Sequence, residues 1–307
     1  MKKEELIIGA DIGGSHITAG IVDINKMEVI KSTVVRNKLD SNGSAEEIFE
    51  VWIKTLKGLI ETNAVERIGF AMPGPFDYEK GICLIKGLSK YESLYEIDVR
   101  AVLSEKLRLK PGNILFRNDA EAFLAGELSG GAAKGFHHSI GITLGTGLGT
   151  AVSHNGHVEN VEKGSMIYKD EIIEEFVSTR GLQRQFHHLA GRSINGVKEL
   201  SEIYDKHDAA KMTFDFFGEH LTWFLNHFIE TESPEVLVVG GNIAHAWNMF
   251  MPSVIAKLEK QFIKMPVVVK AELGEDAALI GGACCFDLSL ISAKNRSTGI
   301  ESNIQKF

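Results

Sequence analysis

Hydrophobic residues along the chain form short runs that end in glycine-rich turns. The run Glu5–Ala10 has the apolar character of a buried strand, and a turn rich in Gly and Asp follows it. Ile17–Asp23 then alternates apolar and polar residues as a second strand does, and Val29–Val35 as a third. Glycines therefore join strand to strand here, whereas a Rossmann unit would pass from its first glycine turn into a helix.

Helices and further strands follow this opening. Ser44 is a candidate N-cap, with Glu46 and Glu47 in the first turn of an amphipathic helix that we expect to reach about Thr62. Further helices are predicted at Ile97–Leu107, at Ala120–Leu128, in a long stretch that begins at Glu171–Phe176, at Phe214–Glu230, at Met249–Phe262 and at Asp276–Cys285. Further strands are predicted at Arg67–Ala71, Asn113–Phe116, Ser139–Leu144, Leu148–Ser153, Val236–Val239 and Val267–Lys270.

The order of these elements suggests a duplication. A strand, a glycine turn and a second strand are followed by helices and strands, and this order occurs twice. Such a pattern predicts two α/β domains with a cleft between them, and a chain of 307 residues is long for a single compact domain. We expect an N-terminal α/β domain over residues 1–117, completed by the C-terminal segment 288–307, and a C-terminal α/β domain over residues 118–287.

Composition narrows the classes of partner. A formal net charge of −8 argues against a nucleic-acid partner, because phosphate backbones favour a basic face. No apolar run reaches membrane-spanning length, and Met1-Lys2-Lys3-Glu4-Glu5 leads into strand-like residues with no signal-peptide core, so we expect a cytoplasmic protein with no membrane partner. The cysteines, Cys83, Cys284 and Cys285, lack the spacing of a disulfide framework or a zinc cluster.

The first glycine turn, Asp11-Ile12-Gly13-Gly14, carries the earliest candidate chemistry. Its two glycines let the backbone approach a phosphate with no Cβ in the way, and Asp11 is suited to hold Mg²⁺ directly or through water. A tight hairpin alone would also explain these glycines. However, Gly145-Thr146-Gly147 and Gly240-Gly241-Asn242 also follow predicted strands. Three such turns favour a phosphate and nucleotide site over unrelated hairpins.

The pair Asn118-Asp119 is the candidate catalytic centre. It follows the predicted strand Asn113–Phe116 and opens a helix, whose positive end favours a carboxylate. A carboxylate in this position is suited to take the proton from a hydroxyl that attacks the γ-phosphate of ATP. From the residues alone, an ordinary Asp N-cap is the favoured interpretation.

Six segments together resemble the ROK family of sugar kinases. They read DIGGSHITAGIVD, GFAMPGPFD, RNDAEAFLAGE, GITLGTGLGTAV, EVLVVGGNIA and LGEDAALIGGA, and their order, spacing and context agree with the family from about residue 7 to residue 286. The resemblance implies an α/β, two-domain actin-like ATPase fold, also called ribonuclease H-like, with a central cleft. It also implies an ATP-dependent kinase that phosphorylates a hydroxyl of a hexose, such as glucose, fructose or an N-acetyl-hexosamine.

The resemblance also implies a function for each residue that matches the family pattern. Asp119 corresponds to the catalytic base, and Gly74, Asn118, Glu162 and Glu174 correspond to sugar-binding residues. For Glu162 and Glu174 a solvated loop position stays open, because the match here needs a gap. The implied ligands are ATP, a sugar and Mg²⁺, with Mg²⁺ at Asp11, and the default assembly is a homodimer. The implied ATP-binding residues are Asp11, Gly13, Gly14, Ser15, Thr18, Gly145, Thr146, Gly147, Gly240, Gly241 and Asn242.

The sequence departs from the family pattern on the sugar side. Most ROK proteins carry E-x-G-H followed by a cysteine-rich zinc loop, but here the residues are Glu162-Lys163-Gly164-Ser165 and the cysteines are absent. This resembles the zinc-free branch that includes polyphosphate glucokinases, so we expect no zinc. Gly87 lies where many glucokinase-like members place a sugar-binding Asn. Either the substrate differs from glucose, or residues such as Lys86 or Lys90 compensate, unless these lysines are ordinary loop charges.

Two alternatives to an ATP-dependent kinase follow from these departures. A non-catalytic ROK-type sugar sensor or regulator would bind sugar without turnover. A DNA-binding form is disfavoured because only ten residues precede Asp11 and the net charge is negative. A glucokinase that uses polyphosphate is the other alternative, but a basic channel would favour it and the charge of −8 gives it little support.

Overall fold

The structure is a computed structural model that describes residues 5–286. The segment 288–307, which the sequence assigns to the N-terminal domain, lies outside the described residues. Within residues 5–286 the α-helices are Ala45–Asn63 (α1), Val99–Leu107 (α2), Asp119–Gly130 (α3), Thr179–Ala190 (α4), Val197–Glu202 (α5), Asp208–Glu232 (α6), Trp247–Leu258 (α7) and Asp276–Ala283 (α8). None of the helices in this part of the chain combines the length and apolar character that a membrane crossing requires.

The strands form two large sheets and two short hairpins. In chain order they are Leu6–Ile12 (β1), His16–Asp23 (β2), Glu28–Val29 (β3), Val35–Lys38 (β4), Ile68–Met72 (β5), Phe76–Asp77 (β6), Ile82–Cys83 (β7), Ile114–Asn118 (β8), His138–Leu144 (β9), Leu148–His154 (β10), His157–Asn160 (β11), Ile167–Tyr168 (β12), Glu171–Ile172 (β13), Val236–Gly240 (β14) and Val267–Lys270 (β15). The first large sheet has the order β3-β2-β1-β5-β8, with β4 also paired to β2, and the second has the order β11-β10-β9-β14-β15.

The two large sheets repeat one arrangement. In the first, β1 pairs antiparallel with β2 and parallel with β5, which pairs parallel with β8. In the second, β9 pairs antiparallel with β10 and parallel with β14, which pairs parallel with β15. Each sheet therefore begins with a hairpin closed by a glycine turn, as the duplicated sequence pattern predicts. The carboxyl ends of β1, β5 and β8 lie at one edge of the first sheet, which is where the candidate residues follow.

Helix α1 confirms the predicted N-cap. The hydroxyl of Ser44 accepts a hydrogen bond from the backbone N–H of Glu47 at 3.3 Å, and the Glu47 carboxylate accepts one from the backbone N–H of Ser44 at 2.8 Å. This reciprocal pair is a capping box, which satisfies two N–H groups at the start of the helix. The helix buries an apolar face that includes Trp52 and Leu56 against the first sheet.

Helix α8 packs backbone to backbone against its neighbours. A Cβ added to Gly69 in β5 would lie 1.9 Å from the carbonyl oxygen of Gly282. A Cβ added to Gly281 would lie 1.7 Å from the carbonyl oxygen of Ala122 in α3. Real Cβ atoms do not approach backbone this closely, so only glycine fits at these two positions. The small residues of α8 therefore let one helix contact both the first sheet and α3.

A buried carboxylate ties α3 to the segment that leads into α8. Glu127 is fully buried and accepts hydrogen bonds from the backbone N–H groups of Ala132 at 2.7 Å, Leu273 at 3.0 Å and Glu272 at 3.2 Å. Three N–H donors satisfy the hydrogen-bonding oxygens of this side chain away from water. These hydrogen bonds fix the segment that leads into α8, and so they also fix the position of Glu275, which directly precedes the helix.

Two predicted elements were wrong in part. The single strand predicted at Val29–Val35 is two strands, because the hydroxyl of Thr33 accepts from the backbone N–H of Ile21 at 2.9 Å and donates to the carbonyl of Ile30 at 2.7 Å. The Thr33 hydroxyl thus takes the place of a backbone hydrogen bond between strands, and residues 31–33 form a short 3₁₀ helix instead of continuing the strand.

The second correction concerns the helical stretch predicted to begin at Glu171–Phe176. Glu171–Ile172 instead pairs with Ile167–Tyr168 as a hairpin, a 3₁₀ turn covers Ile173–Glu175, and α4 begins only at Thr179. Ile173 is fully buried in the core of the second sheet, so tertiary packing overrides the local helical pattern.

Candidate active site

The turn after β1 presents open backbone at the end of a buried strand. Asp11 is half-buried and pairs with Thr18 across the β1–β2 hairpin. The backbone N–H of Gly13 donates to the carbonyl of His16 at 3.0 Å, which closes the turn. Gly14 is exposed, and a Cβ added there would meet nothing within 4 Å. The turn therefore leaves space beside its backbone for a ligand.

Tyr91 supports this turn from the other side, and sequence reasoning missed it. Its hydroxyl donates to the carbonyl of Gly13, and its side chain is fully buried beside Trp52. The charge of Asp11 and, above all, burial raise the pKa of the Tyr91 hydroxyl, which therefore keeps its proton. No local pattern signals this contact, because it joins residues far apart in the sequence.

The sequence left open whether Asp119 caps helix α3, and the structure shows that Asn118 is the cap. The N-cap of α3 is Asn118, whose Oδ1 accepts from the backbone N–H groups of Ala120 at 2.9 Å and Glu121 at 3.3 Å. Asp119 is the first residue of the helix and is exposed to solvent, with Oδ1 accepting from the N–H of Ala120 at 2.9 Å. Asp119 is thus not the N-cap, and its carboxylate faces solvent at the positive end of α3.

The two aspartates lie in an acidic environment. Burial raises the pKa of Asp11 to about 7, the charges of Asp119 and Glu275 raise it further, and Arg36 opposes them. Asp119 is exposed as a residue, but the protein atoms around its carboxyl group displace part of its hydration and raise its pKa, and the positive charge of Lys90 opposes this shift. Carboxylates that oppose one another's ionisation are a favourable place for a divalent cation.

Arg36 and Glu275 join the first sheet to the start of α8 beside this turn. The guanidinium of Arg36 donates to both carboxylate oxygens of Glu275, at 2.8 and 3.0 Å, and to Nε2 of His16 at 2.8 Å. The Ser15 hydroxyl lies 3.2 Å from Nδ1 of the same imidazole. These exposed side chains surround the turn at Asp11 with both signs of charge.

Gly74 and Asn118, predicted to bind sugar, meet at a tyrosine that sequence reasoning missed. Nδ2 of Asn118 donates to the hydroxyl of Tyr78 at 3.0 Å, and a Cβ added to Gly74 would lie 3.1 Å from the same oxygen. Tyr78 comes directly after the GPFD segment, but its partner Asn118 is brought near by the pairing of β5 with β8, opposite Met72. The sequence alone therefore gives no indication that Tyr78 and Asn118 are in contact.

Glu162 lies on a loop that α3 holds in place. Oε1 of Glu121 accepts from the backbone N–H of Asn160 at 2.9 Å, and Oδ1 of Asn160 accepts from the N–H of Glu162 at 3.2 Å. The Ser165 hydroxyl donates to the Glu162 carbonyl at 2.7 Å. Glu162 is exposed and has a positive φ of 47°, which is uncommon outside glycine. Burial chiefly raises the pKa of the Tyr78 hydroxyl, and the charge of Glu162 adds to this rise.

Glu174 contacts the second glycine turn directly. Its Oε2 accepts from the backbone N–H of Leu148 at 2.9 Å, and its Oε1 accepts from Arg180 at 3.1 Å. A Cβ added to Gly147 would lie 2.6 Å from Oε2 of Glu174, so a side chain at Gly147 would displace the carboxylate. The structure thus places this predicted sugar-binding residue against a predicted phosphate turn.

The second and third glycine clusters adjoin each other. Gly145 has open space where a Cβ would be, Thr146 is exposed, and the Gly145 carbonyl accepts from the backbone N–H of Thr179 at 2.8 Å. Gly241 has a φ of +85°, and a Cβ there would lie 2.4 Å from the carbonyl oxygen of Leu144, the residue before Gly145. Gly240 is the last residue of β14 and Asn242 follows it, so both predicted nucleotide segments lie at one edge of the second sheet.

The predicted residues differ in how they can reach a ligand. Thr18 is 5% exposed within β2, so its side chain lies in the sheet and not in the turn. Ser15 and Asn242 are exposed. Gly87 has a φ of +72° and no atom near a Cβ position, so this loop is open where the family pattern has a side chain.

A family model described as the ROK family matches residues 7–166 and 169–287. The chain belongs to the ROK family. Among the curated proteins that are similar to this chain, a glucokinase of Thermotoga maritima is 25% identical over 90% of this chain and 96% of that protein. An N-acetyl-D-glucosamine kinase of Mannheimia succiniciproducens is 24% identical over 92% of this chain and 99% of that protein.

The comparison with solved ROK structures concerns the fold. The crystal structure of a ROK family glucokinase from Streptomyces griseus in complex with glucose and AMPPNP matches with a TM-score of 0.76. The two are 22% identical, and the match covers 92% of this chain and 99% of that chain. The predicted α/β, actin-like ATPase fold is confirmed.

Proposed function

We propose that this ROK chain is a carbohydrate kinase that transfers the γ-phosphate of ATP to a hydroxyl of a hexose, such as glucose, fructose or an N-acetyl-hexosamine. The observation that carries the proposal is the position of Asp119. An exposed carboxylate at the start of α3 lies within electrostatic reach of Asp11, which lies near the end of β1 beside an open glycine turn. The names of the curated relatives, a glucokinase and an N-acetyl-D-glucosamine kinase, support the same reaction class.

Asp119 is the proposed general base. A carboxyl group whose pKa is raised by its surroundings is a stronger base than an ordinary aspartate once it is ionised. Lys90 and the N-terminal end of α3 favour the ionised form. Asp119 would therefore take the proton of the attacking hydroxyl, while Asn118, Gly74 and Glu162 orient the sugar. Glu174, which the sequence also assigned to the sugar, is instead proposed to support the phosphate turn at Gly147.

The glycine turns are the proposed ATP site. The backbone at Gly13, Gly14, Gly145 and Gly147 approaches the phosphates, with Ser15, Thr18 and Thr146 nearby in sequence, and Gly240, Gly241 and Asn242 line the adenosine site. The open space at Gly14 and Gly145 supports this assignment, since a ligand can reach the backbone there. Closure of the proposed domains, residues 1–117 and 118–287, around ATP and sugar would exclude water from the transfer.

Mg²⁺ is the proposed metal, at Asp11. Among residues 5–286, no group of three or more His, Cys, Asp and Glu side chains is arranged to hold a metal ion by itself. Mg²⁺ usually binds through one or two carboxylates together with substrate phosphates, and the acidic surroundings of Asp11 fit such an ion. When bound, Mg²⁺ neutralises charge on the transferring phosphate. We further propose a homodimer, as the family resemblance implies, that is cytoplasmic and, because the cysteines of the family's zinc loop are absent, holds no zinc.

A non-catalytic sugar sensor is the second candidate. The replacement of the family's histidine by Ser165 and of its sugar-binding Asn by Gly87 favours it, because both changes alter the sugar side and neither alters the glycine turns. Use of polyphosphate in place of ATP is a third candidate, suggested by the zinc-free loop.

A coupled assay of ADP release separates these candidates. Wild-type protein with Mg-ATP is tested across hexoses and amino sugars, beside Asp119→Asn and the exposed control Asp215→Asn on α6. We expect release with at least one sugar, about 10²-fold or more loss in Asp119→Asn, and wild-type rates in Asp215→Asn. Sugar binding without ADP release would favour the sensor, and turnover with polyphosphate alone would favour the other donor.

A further inference from the structure

Tyr78 is hydrogen-bonded to Met72 and to Asn118, at the edge of the first sheet that adjoins the proposed sugar site. Its hydroxyl accepts a hydrogen bond from Nδ2 of Asn118 at 3.0 Å and donates one to the carbonyl of Met72 at 3.1 Å. Met72 and Asn118 are paired residues at the ends of β5 and β8. One phenol oxygen thus connects two neighbouring strand ends, directly before the proposed base.

The ring of Tyr78 is fixed from behind. It packs against Phe76 with ring centroids 5.3 Å apart, and Phe76 packs against Phe116 of β8 at 5.0 Å. The guanidinium of Arg100 donates to the carbonyls of Tyr78 at 3.3 Å and Glu79 at 2.6 Å. A side chain held on both its ring and its backbone can position a partner with little loss of entropy on ligand binding.

The remaining hydrogen-bonding capacity of this pair suits a sugar. A tyrosine hydroxyl has one donor and two acceptor sites, of which Tyr78 uses the donor on Met72 and one acceptor site on Asn118. Oδ1 of Asn118 caps α3, so its amide is fixed with Nδ2 towards Tyr78, and one N–H of that group is left. One acceptor and one donor therefore lie side by side.

The surroundings keep this oxygen protonated and accessible. Burial, together with the charges of Asp119, Glu121 and Glu162, raises the pKa of the Tyr78 hydroxyl, although the bond from Asn118 opposes the shift. Tyr78 is half-buried, and Gly74 beside it carries no side chain to cover the oxygen. Two of these acidic groups, Asp119 and Glu162, belong to the proposed mechanism.

We propose that Tyr78 is a sugar-specificity residue, whose phenol oxygen accepts a hydrogen bond from a sugar hydroxyl and holds the Asn118 amide that donates to the same or the adjacent hydroxyl. The inference rests on the proposed kinase function and deepens it. It assigns to this subsite a pyranose hydroxyl that serves as both donor and acceptor, which a deoxy sugar at that position lacks.

Tyr78→Phe tests this directly, because it removes one oxygen and keeps the ring. We expect the KM for the sugar to rise about 5- to 50-fold, with kcat within about threefold and the KM for ATP within about twofold of wild type. Tyr204→Phe is the matched control, since Tyr204 packs on Phe214 in the second half of the chain. A sugar KM in Tyr78→Phe equal to that of Tyr204→Phe would overturn the inference.

A double-mutant cycle separates a sugar contact from a structural effect. If Tyr78 both contacts the sugar and positions Asn118, Tyr78→Phe should raise the KM for sugar in the Asn118→Ala background as well, but by a smaller factor than in the wild-type background. No further rise in the Asn118→Ala background would contradict a direct contact of Tyr78 with the sugar, and equal increases in the KM for ATP and for every deoxy sugar would contradict a specificity function. Deoxy sugars add a further readout, because the wild type should discriminate against one of them and Tyr78→Phe should lose that discrimination.

Failure of the kinase proposal gives a different result. If wild-type protein shows no sugar-dependent ADP release, the proposed function fails, and this inference fails with it before any variant is compared. If the wild type turns over and Tyr78→Phe retains its sugar KM, the inference alone fails. Thermal unfolding of Tyr78→Phe establishes that the variant is folded under the assay conditions.

Discussion

The charge of Asp119 opposes the ionisation of Asp11, although Asp11 lies in β1 and Asp119 begins α3. Asp11 is the second-last residue of β1, and Asp119 follows β8, with β5 between these strands. Burial and this charge together raise the pKa of Asp11 to about 7. The free protein therefore stores an unfavourable charge arrangement, which a divalent cation with its phosphates would relieve.

Removing the Asp11 carboxylate should stabilise the free protein. Its folded-state pKa of about 7 lies above the ordinary value of 3.8, so the folded state binds more protons than the unfolded state in this window, and stability falls as pH rises through it. We expect Asp11→Asn to raise the free energy of unfolding by about 1–3 kcal/mol at pH 8 without nucleotide or metal, less than full conversion of the shift because the side chain is only half-buried.

Urea unfolding of both proteins at pH 4 and pH 8 measures this effect. The difference between Asp11→Asn and wild type should be small at pH 4 and present at pH 8. An equal difference at both pH values would contradict the electrostatic explanation. Activity should change in the opposite direction, with kcat/KM reduced about 10-fold or more in Asp11→Asn if the carboxylate holds Mg²⁺.

The pH dependence of turnover should report Asp119 and Lys90. The proposed base must be ionised, so kcat/KM should rise with pH through the raised pKa of Asp119. Lys90→Met removes a charge that lowers this pKa, and the rising limb should move to higher pH. We expect a loss of about 2- to 10-fold at pH 6 and a smaller loss at pH 8.

Lys86→Met is the control for this experiment. Lys86 belongs to the same loop but lies over the ring of Tyr95, with Nζ 4.8 Å from its centroid. Its replacement should leave the pH profile in place. A uniform loss of rate at all pH values in Lys90→Met would point to a direct contact of Lys90 with a substrate.

Glu174→Ala should weaken ATP binding through the second glycine turn. The carboxylate accepts from the backbone N–H of Leu148 and lies against Gly147, so its loss removes a support of the turn. We expect the KM for ATP to rise about 3- to 10-fold. Glu175→Ala is a close control, because Glu175 pairs with the same Arg180 at 2.7 Å. An increase in the KM for sugar alone would assign Glu174 to the sugar.

Gly281→Ala should destabilise the fold. The added methyl group would meet the backbone of Ala122 at 1.7 Å, which neither element can accommodate without moving. We expect a loss of about 3 kcal/mol or more in the free energy of unfolding. Gly58 lies on the exposed face of α1, and a Cβ added there would have no atom within 4 Å. Gly58→Ala should therefore raise the free energy of unfolding by about 0.5–1 kcal/mol. Similar effects of the two substitutions would contradict the packing argument.

Local patterns predicted those parts of the molecule that depend on neighbours in sequence. The Ser44 cap, the strand after each apolar run and the helix at Asn118-Asp119 follow from propensity, capping and glycine turns. Tyr78 and Tyr91 were missed because their partners Asn118 and Gly13 are brought near only by sheet register and core packing. The sequence therefore indicates which segments form the site, and the fold determines which side chains meet there.

The two differences between the predicted and the observed secondary structure have the same cause. Thr33 interrupts a predicted strand through a hydrogen bond to Ile21 on a different strand. The helix predicted from Glu171 gives way to a hairpin because Ile172 pairs with Ile167. In both places a contact between separate elements outweighs the local preference, as is common for short segments.

The backbone contacts of α8 limit where this chain can diversify. Gly69 and Gly281 face carbonyl oxygens of other elements. A larger residue at either position would destabilise the fold and lower the amount of folded protein in the cell, so selection would remove such substitutions. The loop at Gly87 has no such neighbours, and its φ of +72° still admits asparagine. Paralogues of this protein can therefore acquire new sugar preferences at Gly87 while inheriting the packing of α8 unchanged.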